Sequence, residues 1–106
     1  MAYEIIEYTN DADQNLFREW FLDLDSKAAA KVTTAVARLE NGNTSKVKSV
    51  GSGVYEYKIN FGPGYRVYFA YDGKNIILLL AGGSKQRQSK DIETAKARWA
   101  DHKARK

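Results

Sequence analysis

Cysteine is absent from this 106-residue sequence, histidine occurs once, and the only proline is Pro63. Without thiols the chain has neither a disulfide framework nor a Cys-ligated zinc site, and His102 cannot complete a histidine-based metal site unaided. No metal and no cofactor is expected, and stability has to come from packing. Long apolar runs are missing as well. The longest, Ile76 to Ala81, falls far short of a membrane span, and Met1 to Glu7 carry neither a basic n-region nor a continuous apolar stretch. A cytoplasmic protein with no membrane association is expected.

What is present suffices for one core. Seven Tyr, four Phe and two Trp supply large buried areas per residue. The length suits a single domain, 1–106, because a core becomes self-sufficient at roughly 60 residues and divides only beyond about 250. The net charge of +4 is unevenly spread: the first 25 residues hold seven acids against Arg18, whereas Lys85 to Lys106 hold eight bases and three acids. Such a layout suits a polyanion or an acidic partner on one side, without choosing between nucleic acid and protein.

Tyr3 to Thr9 reads as a short strand. Leu16, Phe17, Trp20, Phe21 and Leu24 recur at helical steps after a cap at Asn10 or Asp11. A second helix, capped by Asp25 or Ser26, has Ala28, Val32, Ala35 and Leu39 on its apolar stripe and stops at Asn41-Gly42-Asn43. Residues 43–53 are polar and glycine-bearing, and read as a loop exposing Lys46 and Lys48. Strand patterns follow at Val54 to Phe61, Tyr65 to Tyr71 and Asn75 to Ala81, the last two joined through Asp72-Gly73. After Gly82-Gly83-Ser84 a final helix starts near Ser89, with Ile92, Ala95 and Trp99 as its apolar stripe and a basic opposite face. The order β-α-α-β-β-β-α predicts an α+β fold, a mainly antiparallel sheet with the helices on one face.

Alternation divides the hairpin that turns at Phe61-Gly62-Pro63-Gly64. Tyr55, Tyr57, Ile59 and Phe61 pair with Tyr65, Val67, Phe69 and Tyr71 as core, leaving Glu56, Lys58, Arg66 and Tyr68 on the other face. Lys58 and Arg66 on adjacent strands can grip a phosphate, Arg through two parallel hydrogen bonds and Lys as a point charge, with Tyr68 available to stack a base. Equally, this is a solvated face on which Glu56 pairs with Lys58 or Arg66. Lys85, leaving a strand end, can reach over the same face; with Arg87 and Lys90 it also fits an ordinary basic loop.

Gly53-Val54-Tyr55-Glu56-Tyr57-Lys58-Ile59, Phe61-Gly62-Pro63-Gly64-Tyr65-Arg66-Val67-Tyr68-Phe69, Leu79-Leu80-Ala81-Gly82-Gly83-Ser84-Lys85 and Gln88-Ser89-Lys90-Asp91-Ile92, then a helix with Ala95 and Trp99, together resemble the RelE/ParE superfamily. More narrowly they resemble its HigB-like branch, the addiction module killer proteins of bacterial type II toxin–antitoxin pairs. The resemblance covers nearly the whole chain. It implies a toxin silenced by a cognate antitoxin, either an endoribonuclease cutting mRNA on the ribosome or, alternatively, a poison of DNA gyrase that cuts no RNA. A member that still binds antitoxin but has lost toxicity is a third possibility. For the RNA-cutting reading it implies Lys58, Arg66 and Lys85 as catalytic; beside them, Glu56, Tyr68 and Asp91 are expected as assisting groups, and Lys46, Lys48, Arg87 and Lys90 as RNA contacts. Two departures stand out: no tyrosine follows Tyr71, and the one histidine lies in the last helix. The proton-transfer partner is therefore open among Asp91, Glu56 and Lys58.

Overall fold

The computed structural model describes residues 2–106. Its elements in chain order are β1 (Glu4–Glu7), α1 (Leu16–Leu22), α2 (Ser26–Glu40), β2 (Val47–Gly51), β3 (Val54–Ile59), β4 (Tyr65–Tyr71), β5 (Ile76–Ser84), a single 3-10 turn (Lys85–Arg87) and α3 (Gln88–Ala104). The strands form one sheet in the order β1-β5-β4-β3-β2, antiparallel except for the β1–β5 pair at one edge. The fold is α+β, as the residue pattern predicts.

The helix boundaries follow their caps. Asp25 caps α2 by accepting from the Ala28 N–H at 2.8 Å. Helix α1 starts at Leu16, the first residue of its apolar period and later than the expected cap suggests, because Asn15, not Asn10 or Asp11, accepts the Arg18 N–H. Asn10 instead accepts from Ala12 and Gln14 and holds a local turn.

Three expectations are corrected. Val47–Gly51 is a strand rather than a loop; at the sheet edge it needs only Val47 and Val50 half-buried, so its composition reads as polar. The third hairpin strand runs on through Gly82 and Gly83 to Ser84, pairing Tyr65 to Val67 of β4. Glycine is required there because a Cβ on Gly82 would meet the Trp20 ring at 2.2 Å, and one on Gly83 would meet the Asp91 carboxylate at 1.8 Å. Finally, the helices do not share one face. Phe17 of α1 and Val32, Ala35 and Leu39 of α2 pack on Tyr57, Val67, Phe69 and Leu79, whereas Ala95 and Trp99 of α3 pack on Val54, Tyr68, Ala70 and Leu80 across the sheet. Both faces of β3 to β5 carry apolar side chains, and an apolar face left bare would forgo about 25 cal/mol per Å² of burial.

A bulge in β5 has a functional consequence. Tyr68 pairs with Ala81 but Phe69 with Leu79, so Leu80 and Ala81 both turn toward the α3 side. Strict alternation from Leu79 would send Lys85 to the α1–α2 side; the extra residue reverses the parity and brings Gly83 and Lys85 to the face of Arg66.

Candidate functional site

The register pairs Lys58 with Arg66 and Glu56 with Tyr68, so these four side chains do share one face of the β3–β4 hairpin. That face is divided. Helix α3 covers its inner part, burying Tyr68 and Glu56, while the end nearer the turn stays open and Lys58 is exposed. Arg66 lies at the boundary and is 4% exposed.

Arg66 is fixed from two sides. Its Nη1 donates to the Gly64 carbonyl at 2.7 Å, a bond made possible because Gly64 takes φ +80° and a Cβ there would lie 3.3 Å from that same nitrogen. Its Nε lies 3.5 Å from Glu56 Oε2 as an ion pair but has no hydrogen-bond acceptor. Glu56 Oε2 in turn accepts from Gln88 Nε2, in the first turn of α3, at 2.7 Å, and Oε1 faces Lys48 Nζ at 3.8 Å. Two buried charges are thus held together by partners from β2, the β3–β4 turn and α3, and the guanidinium loses little further freedom when it meets a ligand.

Around this pair lies an open cleft of about 350 Å³, lined by Lys46, Val47, Lys48, Glu56, Lys58 and Arg66 together with Ser45 and Asn60. A second concavity of about 390 Å³ passes over the hairpin turn, shares Lys58, Asn60 and Arg66 with the first, and adds Lys85. Five bases thus meet one carboxylate, Glu56. Among the described residues Lys46, Lys58 and Lys85 form no ion pair, so their charges face solvent uncompensated. Strand β2 puts Lys46 and Lys48 here: Lys48 is opposite Glu56, and the Lys46 carbonyl accepts the Lys58 N–H at 3.2 Å.

Other sequence candidates fall elsewhere. Tyr68 has no exposed surface and cannot stack a base; its hydroxyl has no partner, and burial, followed by the nearby Glu56 and Asp91 charges, raises its pKa far above that of a free tyrosine. Asp91 packs over Gly83 beneath α3, lining neither concavity; its Oδ2 lacks a partner, and burial raises its pKa against the pull of Arg87, Arg98 and Lys90. Arg87 and Lys90 are exposed but outside both concavities. His102 bonds Asp72 at 2.9 Å in another part of the molecule. Asn60, which alternation puts on the Lys58 face, lines the cleft as well; Gln88 was not foreseen as a site residue. Gln88 reaches Glu56 across 32 positions, and nothing local marks that contact.

No group of three or more His, Asp or Glu side chains among the described residues could hold a metal ion, and no helix is long and apolar enough to cross a membrane.

Comparison with known proteins agrees with this architecture. Residues 19–100 match the family described as Phage derived protein Gp49-like (DUF891). An uncharacterized protein of Haemophilus influenzae is 41% identical over 81 residues, covering 76% of this chain and 82% of that protein. An arginine-substituted mutant of the E. coli toxin RelE, solved in the free state, superposes with a TM-score of 0.60 at 19% identity, covering 88% of this chain and 97% of its own. At that identity the likeness concerns the fold.

Proposed function

As the chain belongs to the phage-derived Gp49-like family and has the fold of RelE, we propose that it is the toxin of a type II toxin–antitoxin pair and a ribosome-dependent endoribonuclease of the HigB-like kind. One observation carries this reading: unpaired Lys46, Lys58 and Lys85 surround an Arg66 already fixed in place, in a cleft open to solvent.

In the reaction the RNA 2′-OH attacks the adjacent phosphorus and the 5′-oxygen of the next nucleotide leaves, giving a cyclic phosphate. Charge builds on the non-bridging oxygens, where Arg66 and Lys58 stabilise it; one preorganised cation at such a centre is worth about 3 to 4 kcal/mol, or 100- to 1,000-fold in rate. Lys85, on the far side of Arg66, protonates the departing oxygen. Glu56 is the one carboxylate in the lining, and its Oε1 makes only the 3.8 Å contact with Lys48, which leaves it free to accept the 2′-OH proton. Tyr68, buried under α3, and Asp91, on α3 and outside both concavities, take no part. The ribosome supplies the mRNA in an extended form, and the antitoxin silences the toxin.

The gyrase reading relies on the basic stretch Lys96 to Lys106, and four of its five Lys and Arg side chains are engaged within the fold. Arg98 donates to the Leu80 carbonyl at 2.7 Å, Arg105 bonds Asp101 and the Thr9 carbonyl, Lys106 pairs with Asp72, and Lys103 sits over the Trp99 ring. Lys46, Lys58 and Lys85, by contrast, have no ion pair among the described residues and meet around Arg66 in an open concavity, which favours RNA. Primer-extension mapping of cellular mRNA after expression of the wild-type and Arg66→Ala chains tests this. New 5′ ends with the wild type alone support it; intact mRNA alongside inhibited supercoiling would point to gyrase instead.

A further inference from the structure

Strand β2 ends before β3 does. Lys46 is the last residue to bond β3 there, its carbonyl accepting the Lys58 N–H, so the edge is uncovered beyond Lys58, at Ile59 and the following Asn60. The cleft described above lies on the α3 side of that edge. On the α2 side lies a smaller cavity of about 160 Å³, floored by Ala35, Tyr57 and Ile59 and bordered by Lys31, Thr34, Arg38, Lys46, Lys58 and Asn60. The two cavities share Lys46, Lys58 and Asn60, and so meet over the edge. No carboxylate lines the smaller one, and none of its four bases is in an ion pair among the described residues. Lys31 Nζ lies 5.5 Å from the centre of the Phe61 ring, which ties this wall to the hairpin turn.

We propose that the α2 cavity is a second phosphodiester subsite, occupied by a single RNA strand that crosses the free edge of the sheet between Lys46 and Asn60, with Arg38 and Lys31 binding a backbone phosphate there while another sits at Arg66. This deepens the RNA-cutting reading and rests on it. A chain of phosphates is the ligand that matches uncompensated cations on both sides of one strand edge. An acidic protein segment fits less well, because protein partners need buried apolar anchors, and the exposed large apolar side chains, Ile6 and Leu22, belong to β1 and α1. Phosphate contacts would fix the position and direction of the strand, leaving base choice to other contacts.

The test measures binding of uncleavable 2′-O-methyl oligoribonucleotides of four and twelve residues, by fluorescence anisotropy over a range of salt. The wild type, Lys31→Gln/Arg38→Gln, Arg66→Gln and a charge control, Lys74→Gln in the exposed β4–β5 turn, are compared. Losing the contact to that one phosphate should lower the salt slope by about 0.7 and weaken twelve-mer binding about 5-fold at 0.1 M salt. The four-mer should be bound equally by the wild type and the α2 double variant. Lys74→Gln should match the wild type on both probes. If Arg66→Gln weakens both oligomers but the α2 double variant weakens neither, or weakens both alike, the second subsite is wrong and the cleft reading stands. If the wild type binds neither oligomer, both fall. If a glutamate twelve-mer binds more tightly than the RNA and loses affinity in the α2 variant, the surface is for an acidic peptide and the proposal is overturned.

Discussion

Replacing Arg66 by Ala should destabilise the fold as well as stop cleavage, and a second substitution separates the two effects. Glu56 is 2% exposed, and without Arg66 its charge would keep only the Gln88 hydrogen bond and a 3.8 Å contact with an exposed lysine. Removing one partner of a buried pair costs about 3 to 5 kcal/mol; the 3.5 Å spacing and the unpartnered Nε place this pair near the lower limit, about 3 kcal/mol. Glu56→Gln alone should cost about 1 kcal/mol, since the amide oxygen still accepts from Gln88 and the guanidinium still bonds Gly64 while bordering open cavities. In the double variant no charge is stranded, so it should be more stable than Arg66→Ala by about 1 kcal/mol, with a coupling of about 2 kcal/mol. Urea unfolding of the four proteins measures the cycle, and melting temperatures should follow at roughly 4 °C per kcal/mol. About a third of the lost stability should return in the double variant while mRNA cleavage, which uses both side chains, does not. Additive stabilities, or cleavage restored together with stability, would refute the account of Arg66.

Further outcomes follow from the same geometry. Lys58→Ala and Lys85→Ala should each cut mRNA cleavage by about 100-fold or more while leaving the urea midpoint within about 0.5 kcal/mol of wild type, because neither lysine has an ion pair to lose. Tyr68→Phe removes a buried hydroxyl without a partner, so stability should hold or rise and cleavage should stay within about twofold; a tenfold loss in a primer-extension time course would give Tyr68 a chemical role. Gly83→Ala drives a methyl group into the Asp91 carboxylate and should cost about 1 to 3 kcal/mol, most of it recovered in Gly83→Ala/Asp91→Ala if that contact is the cause. Asp91 has a raised pKa in the fold, so it favours folding below its unfolded value near pH 4 and opposes it as pH rises through the higher folded value; Asp91→Asn should therefore gain on wild type between about pH 4 and pH 7, as read from urea midpoints at each pH.

Local pattern was enough to identify most elements and half of the site. The αα-hairpin, the β3–β4 hairpin and the shared face of Glu56, Lys58, Arg66 and Tyr68 follow from periods of 3.6 and 2, which depend on nothing beyond the chain's own geometry. Strand β2 was not legible, because an edge strand is stabilised by its ladder and needs few apolar residues, and Val47 and Val50 alone do not stand out against Lys46, Lys48 and Ser49. Alternation also could not say which polar residues of the hairpin face would be covered, so Tyr68 looked like a stacking surface when it is core.

The sequence by itself determined an α+β domain whose basic residues gather at one hairpin, since side-chain periodicity and charge are written residue by residue. Tertiary structure decided the rest. Helix α3 crosses to the second face of the sheet, buries Glu56 against Arg66 and leaves Lys58 open, while a one-residue bulge turns Lys85 to the same side. Those outcomes depend on contacts such as that between Gln88 and Glu56, whose strength comes from exclusion of water, and only the packed chain creates that exclusion.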